Sequence, residues 1–590
     1  MDFLRLRGIG VSPGIAAGEA YLTERIAFTI RRDRIPVSLI ENEIRRLREA
    51  IARTRTELTG LKAKIREKIG EEHAFIFDAH LLILDDAALA SGLERLIRNE
   101  SLRAESALSE IHAKYMKIFE AIADEYFRQR KSDVSDVLGK IYRNLEPQNK
   151  LEADIGQNRI LVAHDLLPSE AALQFSQGNI LAVAMDMGGQ TSHAAILARS
   201  LNIPTVVGLH DLTQRIKDGD LLIVDGTDGE VIVNPPAAVQ KEFLSKKEKY
   251  DLYRRELKKV AKWKSVTLDE VRFYPMANIE LPEEINHAFS YGAEGIGLFR
   301  SEFIYLRRTT LPSEEDHVEM YSRLAKEAYP HPVYIRTIDI GGEKSLPQLQ
   351  IEKEPNPALG LRAIRFSLRN RDLFRTQLRA ILRASALKNV RIIIPMITEV
   401  EEIGEVKILF QEIKQELSSK KVKFDTNIPL GIMIEVPAAA AMADILVREV
   451  DYFSIGTNDL IQYYLAVDRS NEYVSYLFKP LHPSVLRLIK SVIDTAGREG
   501  KEVTLCGEMA ADPLSAIVLL GFGLRKFSMN PIFIPRIKKA LRAVECRTVR
   551  RVVSQAMNLK SAQEIEEYLI EKLLVKHPDA FLRGFSSGAR

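Results

Sequence analysis

The chain has 590 residues, 46% of them hydrophobic and 28% charged, a soluble globular composition too long for one ordinary core, so about two to four domains are expected. Its 84 basic residues stand against 81 acidic ones, for a formal charge of +3, which gives no argument for a nucleic-acid partner. Two cysteines, Cys506 and Cys546, exclude a disulfide framework. The start, MDFLRLRGIG, lacks the apolar run of a signal peptide, and no stretch of about 18 apolar residues offers a membrane span. A cytoplasmic multidomain enzyme without membrane insertion is the expectation.

Residues 1–35 read as short strands around a GIGVSPGIAAG turn region. A helical texture follows from 36 to 148. Ser38 and Glu41 make the S-x-x-E pattern of a capping box. Ile40, Ile44, Leu47, Ile51, Leu58, Leu61, Ile65 and Ile69 then recur at helical steps up to Gly70, and Leu108, Ile111, Tyr115, Ile118, Ile122 and Tyr126 repeat the pattern. This block is predicted to be an all-helical insert, a bundle of antiparallel hairpins. Residues 149–235 return to strand texture, with apolar runs at 159–163, 179–185, 204–207 and 221–224 separated by turn residues. Because 1–35 is too short to fold alone, it joins 149–235 in one α/β domain interrupted by the helical block.

Within that domain lies AMDMGGQTSHAAILARSLNIPTVVG, residues 184–208. Gly188 and Gly189 make a turn, Thr191 or Ser192 can cap, and the alanine-rich run is strongly helical. His193 is therefore expected at a helix N-terminus. The helix dipole there disfavours imidazolium and would favour a phosphorylated ring. A nucleophilic histidine and a histidine that merely packs on its own helix both remain open from this spacing. His164, His210 and His482 have no comparable context, and His482 in KPLHPS reads as structural.

Residues 236–265 are Lys-rich and helix-compatible, a helical linker. Beyond them eight apolar runs alternate with helical patterns, at 272–279, 295–300, 332–338, 391–396, 429–435, 452–456, 502–507 and 525–529. Fully apolar runs suit parallel strands buried on both faces, and eight strand–helix units over 266–590 predict a (β/α)₈ TIM barrel. Catalytic groups of that fold sit at the C-terminal strand ends. Here those ends carry Arg300, then Arg336 with Asp339 and Lys344, then Glu435, then Asn458 and Asp459 followed by Arg469, then Cys506 and Glu508. Buried and unpaired, such charges cost several kcal/mol each; gathered at one rim they can pair or hold a ligand. Glu435 and Asp459 are hard oxygen donors suited to Mg²⁺, and the arginines are planar forks for phosphate and carboxylate. A small polyanion chelating Mg²⁺ is the ligand this set would take. For Cys506, a proton donor and a small buried hydrophobe remain equally open.

GGQTSHAAILAR resembles the phosphohistidine signature of the phosphoenolpyruvate-utilising enzymes, and FSIGTNDLIQY resembles the second signature of that family, in the same order. Length and layout resemble the phosphoenolpyruvate–protein phosphotransferase family, Enzyme I of the bacterial sugar phosphotransferase system, over essentially the whole chain. The resemblance implies a swivelling phosphohistidine α/β domain (1–35 and 149–235), a helical domain for docking the phosphocarrier protein HPr (36–148), a helical linker (236–265) and a barrel that binds phosphoenolpyruvate and dimerises (266–590). It implies phosphorylation of His193 on Nε2. Arg300 and Arg336 would hold the substrate phosphate, and Glu435 and Asp459 would hold Mg²⁺. The backbone around Asn458 and Asp459, with Arg469, would hold the substrate carboxylate and phosphate. Arg362 in ALGLRAIR would be a further substrate-site arginine, and Cys506 would protonate the enolate to give pyruvate. Residues 71–86 resemble part of the HPr platform. A pI near 8.5 departs from the acidic character that the resemblance implies. The same chemistry could feed a regulatory phosphorelay instead of sugar import. A dikinase or synthase of the family would carry a large ATP-binding domain, for which no Gly-rich phosphate loop is present.

Overall fold

Short apolar runs separated by turns build the N-terminal sheet. In the computed structural model its strands are β1 (Leu4–Arg7), β2 (Ile9–Ser12), β3 (Ile15–Leu22), β4 (Arg159–Ala163), β5 (Ile180–Met185), β6 (Thr205–Val207), β7 (Leu221–Asp225) and β8 (Glu230–Val233). Their order is β1-β8-β7-β3-β4-β5-β6-β2. The structure describes residues 3–23, 32–69, 76–121, 125–145, 158–177, 180–189, 192–201, 203–306, 310–341, 354–469, 471 and 474–574. Gly70, Ile122, Lys344 and the start of the 71–86 stretch lie outside them. β3 pairs in parallel with β4, so Ala20 meets Ile160 in register, and the helical block enters the chain between these two neighbouring strands.

That block consists of helices Ile40–Ile69, Ile76–Leu84, Ala87–Glu100, Ala104–Ala121 and Glu125–Leu145. The periodic stripe does bury: Ile44, Leu47, Leu58, Leu61 and Ile65 share one core with Leu108, Leu161, Val183 and Leu197. Helices and sheet of this unit therefore exclude water together. Two details differ from expectation. Ser38 lies inside a 3₁₀ turn, Val37–Leu39, that runs straight into the long helix, and no side-chain cap hydrogen bond forms at the start of that turn. Ile118, placed on the second stripe, is exposed near the end of its helix.

The chain divides into two compact units with their boundary between Leu252 and Tyr253, inside the single helix Ala237–Val260. The C-terminal unit contains β9 (Tyr274–Ile279), β10 (Ile296–Arg300), β11 (Val333–Arg336), β12 (Val390–Ile394), β13 (Leu430–Ile434), β14 (Tyr452–Ile455), β15 (Glu502–Leu505) and β16 (Lys526–Met529). They pair in parallel and close into a barrel, with β16 returning to β9. Alternate strand residues face opposite ways. Outward ones such as Ile335, Ile392, Ile432 and Phe453 pack under the helices. Inward ones, Met276, Leu298, Tyr334, Ile393, Met433 and Tyr452, fill the barrel and reach Cys506.

Asp269 ties the chain before β9 to a distant helix. Its carboxylate accepts the backbone N–H of Cys546 at 2.8 Å and of Arg547 at 3.1 Å, capping helix Cys546–Ala556. Burial alone would raise this carboxyl, but the Thr267 hydroxyl and those N–H groups hold it down to about 2. A depressed folded-state value stabilises above the unfolded carboxylate range and is lost as pH falls through the folded value. The wild type is therefore expected to melt above Asp269→Asn at pH 7, with the Tm gap closing between about pH 4 and pH 2; melting curves across that range check this.

Candidate active site

The inward residue two positions beyond each core layer lands on the C-terminal rim. Leu298 leads to Arg300, Tyr334 to Arg336, Met433 to Glu435 and Met276 to Asn278. The rim charges are not isolated. Arg336, 6% exposed, is ion-paired with Glu302 and, at 3.1 Å, with Asp339. Burial alone would lower its guanidinium, but Glu302, Asp339 and Glu435 raise it and keep it charged. Arg362 forks onto Asp339, at 3.0 and 3.2 Å, and reaches Asp459 at 2.8 Å and the Tyr463 hydroxyl at 2.9 Å. One guanidinium thus joins the ends of β11 and β14. Arg300 pairs with Glu280 at 2.8 Å at the more open side of the rim.

Glu435 lies at the centre. Its Oε1 accepts the Met396 N–H at 2.7 Å. Burial, with the carboxylates of Asp459 and Asp339 adding to it, pushes Glu435 up to about 8 against the pull of Arg336 and Arg362. Gly456 makes room for it: a Cβ there would stand 2.9 Å from Glu435 Oε2 and 3.1 Å from Met433 Sδ. Among the described residues Glu435 Oε2 and Asp459 Oδ1 accept no hydrogen bond. Among those residues no group of three or more His, Cys, Asp or Glu is set to hold a metal. A pair of carboxylates with spare oxygens fits a hard cation that takes one or two carboxylates and completes its shell with water and substrate oxygens. A cation there would also relieve the repulsion that raises Glu435.

Helix Thr457–Leu465 starts directly after β14 and carries Asn458 and Asp459. The Asn458 Oδ1 accepts the Glu508 N–H at 2.9 Å and its Nδ2 donates to Glu508 Oε1 at 3.2 Å. Arg469 donates to the same oxygen at 3.2 Å. Cys506 follows β15 and is buried; burial pushes its thiol up, opposed by the Ser454 hydroxyl and by Arg336 and Arg300, while Glu435 adds to the rise. The structure thus brings Arg300, Arg336, Arg362, Glu435, Asp459 and Cys506 into one electrostatic set, with Asn458 and Arg469 joined through Glu508.

Several supporting residues escape pattern reading. Glu302 stands two places after Arg300, an offset that could have signalled it. Gln377 carries no local signal: from its helix it donates to Ser301 Oγ at 2.9 Å and Tyr321 Oη at 3.0 Å, and accepts the Ile338 N–H at 3.0 Å. It fixes the backbone beside Asp339. Removing a partner from a buried ion pair leaves uncompensated charge. Arg336→Leu is therefore expected to destabilise the chain by about 3 kcal/mol, read as a lowered urea midpoint.

In the N-terminal unit, Ser192 is the helix cap, its Oγ accepting the Ala195 N–H at 3.3 Å, and His193 is the first residue of helix His193–Ser200. Gly188 turns the chain with a φ of +105°. The preceding strand end is pinned by buried Asp186, which accepts from the Thr213 hydroxyl, from the Thr213 N–H at 3.2 Å and pairs with His164 Nδ1 at 3.2 Å. His482 has the structural role expected of it, its Nδ1 accepting the Ser484 N–H at the start of helix Pro483–Arg498.

Residues 7–130, 155–229 and 254–546 match the N-terminal, mobile and PEP-binding domains of the PEP-utilising enzymes. A phosphoenolpyruvate-protein phosphotransferase of Geobacillus stearothermophilus is 42% identical over 565 residues, covering 96% of this chain and 97% of its own. The protein of that name from Priestia megaterium is 40% identical over 565 residues, with 96% and 98% covered. This chain belongs to the phosphoenolpyruvate–protein phosphotransferase family. The NMR solution structure of Enzyme I (nEIt) is 39% identical and covers 42% of this chain and 99% of that one, at a TM-score of 0.35. The rim is thus the barrel rim of a phosphoenolpyruvate-dependent phosphotransferase, with cationic forks, buried carboxylates and a thiol at its strand ends. No helix among the described residues is long and apolar enough to cross a membrane.

Proposed function

We propose that this chain takes the phosphoryl group of phosphoenolpyruvate onto His193 Nε2, releases pyruvate, and passes the phosphoryl group to HPr as the first step of sugar uptake by a cytoplasmic phosphotransferase system. The observation that carries this reading is the joint presence, in one electrostatic set, of Arg300, Arg336 and Arg362, the Glu435–Asp459 carboxylate pair and the Cys506 thiol.

Phosphoryl transfer asks a protein for positioning and charge balance more than for covalent chemistry. Arg300 and Arg336 bind the substrate phosphate through planar N–H forks and stabilise charge on its equatorial oxygens. Arg469 and the backbone at Asn458 and Asp459 orient the carboxylate. Glu435 and Asp459 would hold Mg²⁺, which when bound would supply Lewis-acid polarisation of substrate oxygens. His193, the first residue of helix His193–Ser200, is the proposed acceptor, and a helix N-terminus favours added phosphoryl charge. The Cys506 thiol gives its proton to C3 of the enolate left behind. His193 must then serve the helical domain, so a hinge is required; helix Ala237–Val260, which carries the boundary between the units, is the segment proposed for it. The barrel is also proposed to join two copies of the chain.

A burst experiment tests this reading. With phosphoenolpyruvate and Mg²⁺ but no acceptor, pyruvate is expected in an amount equal to the chain and then to stop. Absence of that burst contradicts the proposal.

A further inference from the structure

Ser454 lies in the interior of the barrel on β14, fully buried, in register with Thr504 of β15. A buried hydroxyl costs free energy unless it is hydrogen-bonded. Among the described residues its side chain has one partner: Ser454 Oγ donates to Cys506 Sγ at 3.6 Å. The thiol in turn donates to the Ile455 carbonyl at 3.7 Å. The backbone of Cys506 is clamped as well. Its N–H donates to Ile455 O at 3.1 Å, its carbonyl accepts from Asn278 Nδ2 at 2.9 Å, and Asn278 Oδ1 accepts from Ser528 Oγ at 2.6 Å. Three strands hold this cysteine in place, whereas packing alone would need no hydroxyl at position 454.

We infer that Ser454 is a positioning residue for proton delivery, orienting the Cys506 thiol and stabilising the thiolate that remains after the proton has left. The inference rests on the reading of Cys506 as the proton donor. In that step the S–H bond breaks and a C–H bond forms at C3 of the enolate. The S–H electron pair stays on sulfur, and solvent returns the proton after pyruvate leaves. The sulfur gains a full negative charge while facing Glu435 from β13, with Arg336 from β11 and Arg300 from β10. A hydroxyl donor already aimed at the sulfur strengthens as that charge develops, since hydrogen bonds to charged groups are the stronger kind.

Quenched-flow samples of the full chain with Mg²⁺ and phosphoenolpyruvate, scored for both phosphohistidine and pyruvate, separate the two steps. Ser454→Ala is expected to phosphorylate His193 at the wild-type rate and with unchanged KM, while releasing pyruvate about tenfold more slowly, the worth of one hydrogen bond to a charged group. Ser454→Thr, if it melts like the wild type, is expected to recover the pyruvate rate. Wild-type pyruvate release by Ser454→Ala, with Cys506→Ala blocked, overturns the inference and leaves the donor reading intact. So does equal slowing of both steps with a raised KM, which marks a packing role. Wild-type release by Cys506→Ala overturns the donor reading itself.

Discussion

His193→Ala is expected to abolish phosphoryl uptake and delivery together, with residual rates below about 10⁻⁴ of the wild type. The nucleophile is removed outright, and among the described histidines no other is the first residue of a helix. His482 is occupied as a helix cap and His164 is paired with Asp186. The substitution falls at the first position of a helix already capped by Ser192, and alanine is the best helix former, so the fold is kept. Phosphoenolpyruvate is expected to bind with little change, because the arginines and carboxylates of the rim belong to the other unit. Labelling the variant with [³²P]phosphoenolpyruvate checks the first part, and substrate protection of the barrel from thermal unfolding checks the second. A phosphorylated variant would sink the relay scheme.

Glu435→Gln is expected to lower pyruvate formation about 10³-fold with little loss of stability. Glutamine keeps the shape and can still accept the Met396 N–H that Glu435 Oε1 accepts. It removes one of the two carboxylates with spare oxygens, and with it the negative charge that suits a divalent cation. Stability is spared because the lost group is one that burial and two neighbouring carboxylates already penalise in its charged form. Rates measured across a Mg²⁺ titration check the assignment. The wild type should fall to the variant's rate on chelation, and the variant should respond little. A variant that keeps the wild-type Mg²⁺ dependence would move the cation to other ligands.

Both experiments act on residues named from the sequence: His193 through the family resemblance, which decided what its spacing left open, and Glu435 through barrel geometry. Apolar strands buried on both faces leave a strong trace, and in a barrel the first polar residue past the inward layer must reach the rim. That rule alone delivers Arg300, Arg336 and Glu435. The helical stripe through Ile44, Leu47, Leu58 and Ile65 is legible for a similar reason, since one period describes one buried face. Local patterns that need a particular backbone fared less well. Ser38 has the residues of a capping box, but the chain is already turning in a 3₁₀ helix there.

Contacts between distant segments were not legible at all. Asn278 and Ser528 meet across the seam where the barrel closes, and Gln377 reaches from a helix behind the strands to hold Ser301 and Ile338. Ser528 and Gln377 have no local signature, and Asn278, which the inward-layer rule does place at the rim, gives no local sign of its partner. Arg362 shows the intermediate case. The family resemblance implied a substrate-site arginine, and its geometry adds that it braces Asp339 and Asp459. A substitution there would disturb the carboxylate pair as well as any substrate contact.

The relay through His193 is tested most directly by incubating the chain with [³²P]phosphoenolpyruvate and purified HPr, with and without Mg²⁺, and following label on both proteins. Label is expected on the chain first and then on HPr, both dependent on Mg²⁺ and both lost in His193→Ala. Absence of label from both proteins in the presence of Mg²⁺ would contradict the relay.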